Sequence, residues 1–166
     1  MQRPASQSDA QFVVRPYRPA DFDRLWEIDQ LCFSTGIAYT QMELSGFLLM
    51  RGALAMVAEF RKAPADPTAA DRIAGFVVAY RRHKTGRIVT IDVLPEARGR
   101  GLGTRLMNQC EQQLRAARCT HVYLETAVNN ETALRLYRKL GYEVVRTLPE
   151  YYSSQRLDAF RLAKRL

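Results

Sequence analysis

A β-branched segment that runs into a glycine-rich turn constrains this chain more than any other part of its 166 residues. Residues 87–93 (Arg-Ile-Val-Thr-Ile-Asp-Val) have the composition of a buried strand, and Pro95 ends it. Residues 98–104 (Arg-Gly-Arg-Gly-Leu-Gly-Thr) then open a helix. Because alternate glycines expose backbone N–H groups at a helix N-terminus, the segment predicts a seat for a phosphate or diphosphate.

Three kinds of phosphate-binding loop compete for this segment. A P-loop ends in Gly-Lys-Ser/Thr, but Thr104 follows Gly103 directly and the lysine is missing. A dinucleotide loop needs glycine directly after the strand and a small third residue where Thr104 stands, and this chain has neither. The Arg/Gln-x-x-Gly-x-Gly/Ala loop for acyl-coenzyme A matches at every position, with Arg98, Gly101 and Gly103. A plain glycine-rich turn is the remaining alternative.

Length and composition exclude several classes of protein. We expect one domain at residues 11–166, after a flexible polar tail at residues 1–10. No apolar run approaches the 18–20 residues of a membrane span, and no secretory signal is visible. The three cysteines fall within apolar patterns, which predicts buried thiols and a cytoplasmic protein, and no residue cluster has metal-ligand spacing.

The net charge of +8 is concentrated in the second half of the chain. Residues 1–86 hold 11 Lys/Arg against 9 Asp/Glu, and residues 87–166 hold 14 against 8. The excess therefore accompanies the glycine loop, as a polyphosphate ligand would favour. Nucleic acid would also suit such charge, but the arginines are scattered and no nucleic-acid-binding motif is present, so we expect a solvated basic face.

Hydrophobic periodicity predicts the element order β-α-α-β-β-β-α-β-α-β-β, which is typical of a mixed α/β sheet with helices on both faces. A capping box at Thr40–Glu43 begins the second helix, and Gly52 is its predicted stop. We expect a loop at Arg61–Arg72, and a break at Pro149–Gln155 between the last two strands.

The element order and the motifs from Ile91 to Tyr152 resemble the Gcn5-related N-acetyltransferases (GNAT superfamily), most closely the ribosomal-protein-alanine (RimI-type) N-terminal acetyltransferases. The matching segments are 91–95, 98–104, 124–125 and the last-helix signature Asn130, Ala133-Leu134-x-Leu136-Tyr137-x-x-Leu140-Gly141-Tyr142. The resemblance implies the GNAT fold, with about seven strands in a mixed sheet and about four flanking helices. It also implies that two parallel strands, ending at Val93 and Thr126, splay apart after pairing.

The resemblance implies acetyl-CoA as cofactor. Its pantetheine would pair with the backbone of 91–93, its diphosphate would lie on the glycine loop, and Asn130 would contact it from the last helix. As an alternative, Asn130 is an ordinary helix N-cap. The implied cofactor-binding residues are Ile91, Asp92, Val93, Arg98, Gly99, Arg100, Gly101, Leu102, Gly103, Thr104 and Asn130.

The same resemblance implies the catalytic groups. Glu125 would be the general base, through a water, and Tyr137 the general acid beside the sulfur, while a backbone N–H near Val93 polarises the carbonyl. A solvated carboxylate and simple core packing are the alternative explanations for Glu125 and Tyr137. Tyr39 and Tyr152, in segments that resemble the family's two peptide loops, would line the acceptor slot, unless they serve packing.

The fraction of each kind of amine that is neutral near pH 7.5 favours an α-amine as acceptor. At pH 7.5 roughly a third of α-amines are neutral, against about 0.1% of lysines, and one carboxylate base supplies about 10²–10⁴-fold. The chain departs from the family at Phe33-Ser34, where the family often has Phe-Pro, and at Asp92, an acid in a usually apolar strand.

The sequence therefore predicts an acetyl-CoA-dependent N-acetyltransferase that acts on a protein or peptide N-terminus, with a ribosomal protein as candidate partner and neither membrane nor nucleic acid as expected partner. Two alternatives stay open. One is acetylation of a small amine or of lysine, and the other is a non-catalytic acyl-CoA-binding or RNA-associated module.

Overall fold

The fold is a seven-stranded sheet flanked by helices, in a computed structural model that describes residues 11–61 and 72–166. The predicted tail at 1–10 and most of the predicted loop at Arg61–Arg72 lie outside the described residues. The strands are β1 (Phe12–Pro16), β2 (Ala53–Phe60), β3 (Ile73–Arg82), β4 (Thr85–Val93), β5 (His121–Ala127), β6 (Glu143–Tyr152) and β7 (Leu157–Arg165). The α-helices are α1 (Phe22–Cys32), α2 (Gln41–Leu49), α3 (Leu102–Ala116) and α4 (Glu131–Lys139).

The strands are arranged in the order β1-β2-β3-β4-β5-β7-β6, and among the described strands only β4 and β5 pair in parallel. This confirms the predicted element order and the mixed sheet. In the described part of the chain, no helix combines the length and the apolar character that crossing a bilayer requires.

Two predicted boundaries were wrong. Strand β6 does not break at Pro149 but continues to Tyr152. A proline is tolerated there because β6 is the edge strand, and its pairing with β7 is irregular between Leu148 and Tyr152. Helix α2 ends at Leu49, before the predicted stop, whereas its capping box at Thr40 is present: the Thr40 side chain accepts from the Glu43 N–H at 3.2 Å.

A β-bulge in β4 decides which side chains reach which helix. Val78 pairs with Thr90, but the next residue of β3 pairs with Ile88, so Val89 is an extra residue. Since neighbouring residues of β3 point to opposite faces, Ile88 and Thr90 also do. Gly86 and Ile88, before the bulge, therefore face α3, whereas Thr90 and Asp92 face α1.

The bulge also explains the splay. β4 and β5 pair over only three residues each, Thr85–Arg87 with His121–Tyr123. Beyond them β5 remains paired with β7 as far as Ala127, while β4 bends at the bulge and stays with β3. The edge of β4 after Arg87 therefore has no partner in β5, as the predicted splay requires.

Candidate active site

The splay opens into a cleft of about 1970 Å³. The unpaired part of β4, the glycine loop, the end of β5, α4 and two segments at residues 33–43 and 151–157 line it. The predicted site residues found in this lining are Tyr39, Ile91, Asp92, Val93, Arg98, Gly99, Gly101, Leu102, Gly103, Thr104, Glu125, Asn130, Tyr137 and Tyr152. Arg100 is the exception, because its guanidinium donates to Oε1 of Gln11 at 3.2 Å instead.

The glycine loop forms an open cradle at the N-terminus of α3. Gly99 and Gly101 have φ of 72° and 77°, a left-handed conformation that favours glycine. A Cβ on either would meet no atom within 4 Å. Arg98 ties the loop to the splayed strand, since its Nε donates to the Val93 carbonyl at 2.9 Å. The loop thus presents the free N–H groups of a 15-residue helix to open space, which suits an anion.

Glu125 is enclosed by two arginines and is not a solvated strand-end carboxylate. Its side chain is 5 % exposed. Oε2 accepts from Arg87 Nε at 3.2 Å, and Oε1 accepts from Arg161 Nε at 3.0 Å. Arg87 also donates to the hydroxyl of Tyr151 at 3.2 Å. Oε1 is also 2.9 Å from Nη2 of Arg161, whereas Oε2 keeps a second lone pair with which Glu125 can accept from a water or an ammonium in the cleft.

Tyr137 and Asn130 occupy α4. The Tyr137 ring is buried, 6.0 Å from the ring of Tyr142, and no described residue hydrogen-bonds its hydroxyl. Burial raises the pKa of Tyr137 above its usual value, so the phenol keeps its proton at neutral pH. Asn130 is the N-cap of α4, with its Oδ1 accepting from the Ala133 N–H at 3.2 Å. Its contact with a cofactor stays a prediction.

The acceptor side of the cleft is bounded by two segments that contact each other. Nε2 of Gln155 donates to Ser34 Oγ at 3.1 Å and to the Thr35 carbonyl at 3.0 Å. The φ of Gly36 is 89°, and a Cβ there would collide with Ser154. The segment at 33–40 and the turn after β6 therefore form one continuous rim.

A pair of buried carboxyl groups lies behind this rim. Asp29 of α1 and Asp92 of β4 are 0 % and 1 % exposed and interact with each other. Asp29 Oδ2 accepts from the Tyr39 N–H at 2.7 Å, and Asp92 Oδ1 accepts from Thr90 Oγ1 at 2.6 Å. Neither Asp29 Oδ1 nor Asp92 Oδ2 has a hydrogen-bonding partner outside the pair among the described residues. A proton shared between the two carboxyls would satisfy both atoms.

Sequence reasoning missed Asp29 and the two arginines around Glu125. Asp29 could have been found, because it is an acid at a position of α1 where the periodic pattern is otherwise apolar. Arg87 and Arg161 left none, since they meet Glu125 only through strand pairing. The predicted burial was also wrong for one cysteine. Cys110 and Cys119 are buried as predicted, whereas Cys32 is half-buried and lines the cleft.

Replacing Asp92 by asparagine is expected to stabilise the protein at pH 7.5. Burial raises the pKa of Asp29 to about 6, and that of Asp92 well above its usual value. The folded state therefore binds more protons than the unfolded chain, and stability falls as the pH rises from about 4 through the folded pKa values. Asp92→Asn should flatten this fall in urea unfolding at pH 5 and 7.5.

Asp21 provides the control with the opposite sign. Arg15 donates to both of its oxygens at 2.8 Å, which lowers the pKa of Asp21. The Asp21 carboxylate therefore stabilises the folded protein at neutral pH, and this stabilisation is lost as the pH falls. Asp21→Asn should accordingly destabilise the protein at pH 7.5. An Asp92→Asn protein less stable than wild type at pH 7.5 contradicts the shared proton.

Comparison with known proteins gives the family. A model of the acetyltransferase (GNAT) family matches residues 22–142. An uncharacterised N-acetyltransferase of Methanocaldococcus jannaschii is 29% identical over 154 residues, which cover 92% of this chain and 91% of that protein. The N-alpha-acetyltransferase RimI of Mycobacterium tuberculosis is 39% identical over 75 residues, which cover 45% of this chain and 46% of RimI.

A solved structure shares the fold. The crystal structure of Arabidopsis thaliana NAA60 in complex with acetyl-CoA superposes with a TM-score of 0.80 and 23% identity, covering 93% of this chain and 99% of that one. The family model spans most of the chain, including β4, the glycine loop, Glu125 and Tyr137. The chain therefore belongs to the acetyltransferase (GNAT) family and is an acetyl-transferring enzyme.

Proposed function

We propose that this enzyme transfers the acetyl group of acetyl-CoA to the α-amine at the N-terminus of a protein or peptide in the cytoplasm. One observation carries the proposal: a single cleft combines an anion cradle, the unpaired edge of β4, and an acceptor rim formed by two contacting segments. The N-alpha-acetyltransferase that is partly similar to this chain supports an α-amine acceptor.

The residues of the cleft fit acetyl-CoA. The edge of β4 after Arg87 offers backbone groups without a partner in β5, which suits the amides of pantetheine. The cradle at Gly99 and Gly101 has room for a diphosphate, and the complex of NAA60 with acetyl-CoA supports this ligand. When bound, acetyl-CoA supplies an activated acetyl thioester.

The side chains of the cleft then act as general base and general acid. Glu125 accepts a proton from the incoming ammonium through a water, and Arg87 and Arg161 hold its carboxylate in place. Tyr137, which stays protonated at neutral pH, donates to the departing sulfur. The backbone N–H of Val93 polarises the carbonyl under attack.

The acceptor is tested with peptides. The enzyme is incubated with acetyl-CoA and peptides whose N-terminus is free or blocked, including one with a ribosomal-protein N-terminus, one internal lysine peptide and one polyamine. Mass spectrometry should find acetyl only on free N-termini. Equal turnover of blocked peptides, or turnover of the polyamine alone, would move the acceptor to lysine or to a small amine.

Replacing Gly101 by alanine is expected to weaken acetyl-CoA binding by about tenfold or more, measured by calorimetry. The methyl group would enter the cradle, and the left-handed conformation costs about 1–2 kcal/mol for a residue with a Cβ. Gly46→Ala is the matched control, because Gly46 lies within α2 with nothing within 4 Å. Gly46→Ala should leave the affinity for acetyl-CoA unchanged. If Gly101→Ala also leaves this affinity unchanged, the glycine loop is not part of the cofactor site.

A further inference from the structure

A second cavity, of about 290 Å³, lies beside the cleft, and Arg87 lines both. Its lining residues are Tyr80, Arg82, His83, Thr85, Arg87 and Tyr123. All of them belong to strands or to the turn between β3 and β4, so the sheet itself forms this surface. The proposed transfer of acetyl does not use this cavity.

Strand register places aromatic and basic side chains of this region on one face. Tyr80, Arg87 and Tyr123 are paired across β3, β4 and β5. A second row of paired residues lies two positions further along each strand. It consists of Arg82, Thr85, His121 and Arg165. Because side chains two positions apart share a face, both rows form one surface. We call it the basic platform: Tyr80, Arg82, Arg87, His121, Tyr123 and Arg165.

The platform has uncompensated positive charge. Arg82 and Arg165 are exposed, and neither has an ion-pair partner among the described residues. The guanidinium of Arg161 lies 5.1 Å from the centre of the Tyr123 ring, which adds charge next to the aromatic row.

On β5 and β6, two carboxylates share this face of the sheet without balancing it. Glu125 is already held by Arg87 and Arg161. Glu143 lies in the row of Tyr123 but on the edge strand, two strands away. The arginines of the second row therefore remain available to a ligand with negative charge.

Arg87 connects the platform to the acceptor rim. Its Nη2 donates to the Tyr151 hydroxyl at 3.2 Å, next to Tyr152 in the segment that lines the cleft. The two rows of the platform are two residues apart along the strand, or about 7 Å. An extended peptide advances about 3.3 Å per residue, so a polypeptide that left the cleft at Tyr151 and followed the strands would bring its third to fifth residues over the second row.

We propose that the basic platform binds acidic side chains at positions 3–5 of the acceptor polypeptide. The inference rests on the proposed function and makes it more specific. Carboxylates there would pair with Arg82 and Arg165, whereas lysines and arginines would be repelled. The platform thus selects acidic N-terminal segments against the basic ones that RNA-binding proteins carry. Single-stranded RNA is the rival occupant, but the continuity with the acceptor rim through Arg87 favours the peptide.

The test compares three peptides with the same first two residues and with Glu, Ser or Lys at positions 3–5. Both kcat/KM with saturating acetyl-CoA and binding by fluorescence anisotropy are measured. At low salt the Glu peptide should exceed the Lys peptide by about tenfold in both, and the ratio should shrink at 0.5 M salt. Arg82→Gln/Arg165→Gln should bring the ratio near one. Arg51→Gln/Arg138→Gln, which removes two exposed arginines outside both cavities, should preserve it.

Equal binding of the Glu and Lys peptides would overturn the inference, whether or not turnover occurs. Absence of turnover on every free N-terminus, with charge-dependent binding retained, would instead overturn the proposed acceptor and leave the platform standing. An RNA oligonucleotide that binds better than the Glu peptide, and that the Arg82→Gln/Arg165→Gln protein no longer binds, would assign the platform to nucleic acid and also overturn the inference.

Discussion

Replacing Tyr137 by phenylalanine is expected to lower kcat by about tenfold or more, which corresponds to about 1.4 kcal/mol in the barrier. The phenol keeps its proton because burial raises the pKa of Tyr137, so its removal deletes a donor while the ring still fills its site. The dissociation constant of acetyl-CoA should stay nearly unchanged. Single-turnover kinetics together with calorimetry separate these two effects.

The matched control is Tyr142→Phe. Tyr142 packs 6.0 Å from Tyr137, and its hydroxyl donates to Oε1 of Glu111 at 3.0 Å, outside the lining of the cleft. Its loss should cost about 1 kcal/mol in the free energy of unfolding and leave kcat intact. If both variants keep full kcat, a water or another group protonates the leaving sulfur, and Tyr137 serves packing.

Replacing Glu125 by glutamine is expected to lower kcat/KM about 100-fold at pH 7. At pH 9 most α-amines are already neutral, so the base is needed less and the loss should shrink to about tenfold or less. A purely structural role for Glu125 predicts a loss that does not depend on pH in this way. The pH profile of kcat/KM for a free-amine peptide is therefore the decisive measurement.

Glu111 offers a control with the same kind of burial. Its carboxylate accepts from Lys164 Nζ at 2.7 Å and from Arg115 at 3.2 Å, and it lies outside the cleft. Glu111→Gln should lower stability and leave the pH profile of kcat/KM unchanged in shape. A Glu125→Gln loss that is constant from pH 7 to 9, alongside a stability loss like that of Glu111→Gln, would show that Glu125 only anchors Arg87 and Arg161.

Most of the fold could be predicted because its helix ends, turns and apolar faces are determined by residues close together in the sequence. The capping box at Thr40, the glycines before α3 and the apolar stripe of that helix all follow short-range rules, and the structure confirms them. The break at Pro149 was wrong because the cost of a proline in a strand depends on whether the strand lies at an edge.

The electrostatic surroundings of the site could not be predicted in the same way. Residues 36 to 63 positions apart in sequence, such as Glu125 with Arg161 and Asp29 with Asp92, meet only when the sheet register is known. The extra residue at Val89 is likewise invisible in a strand of ordinary composition. Most of the predicted site residues therefore line the cleft, whereas the groups that compensate their charge were not predicted.

The bulge at Val89 makes the length of β4 matter more than the identity of most of its side chains. Deleting Val89 would restore strict alternation, while Ile88 and Thr90 would keep Ala79 and Val78 as partners and Asp92 would still face α1. The carboxyl pair would stay together, but β4 would lose the bend that carries it away from β5. Conservative substitutions along this strand leave the architecture of the cleft in place, whereas a single-codon deletion dismantles it.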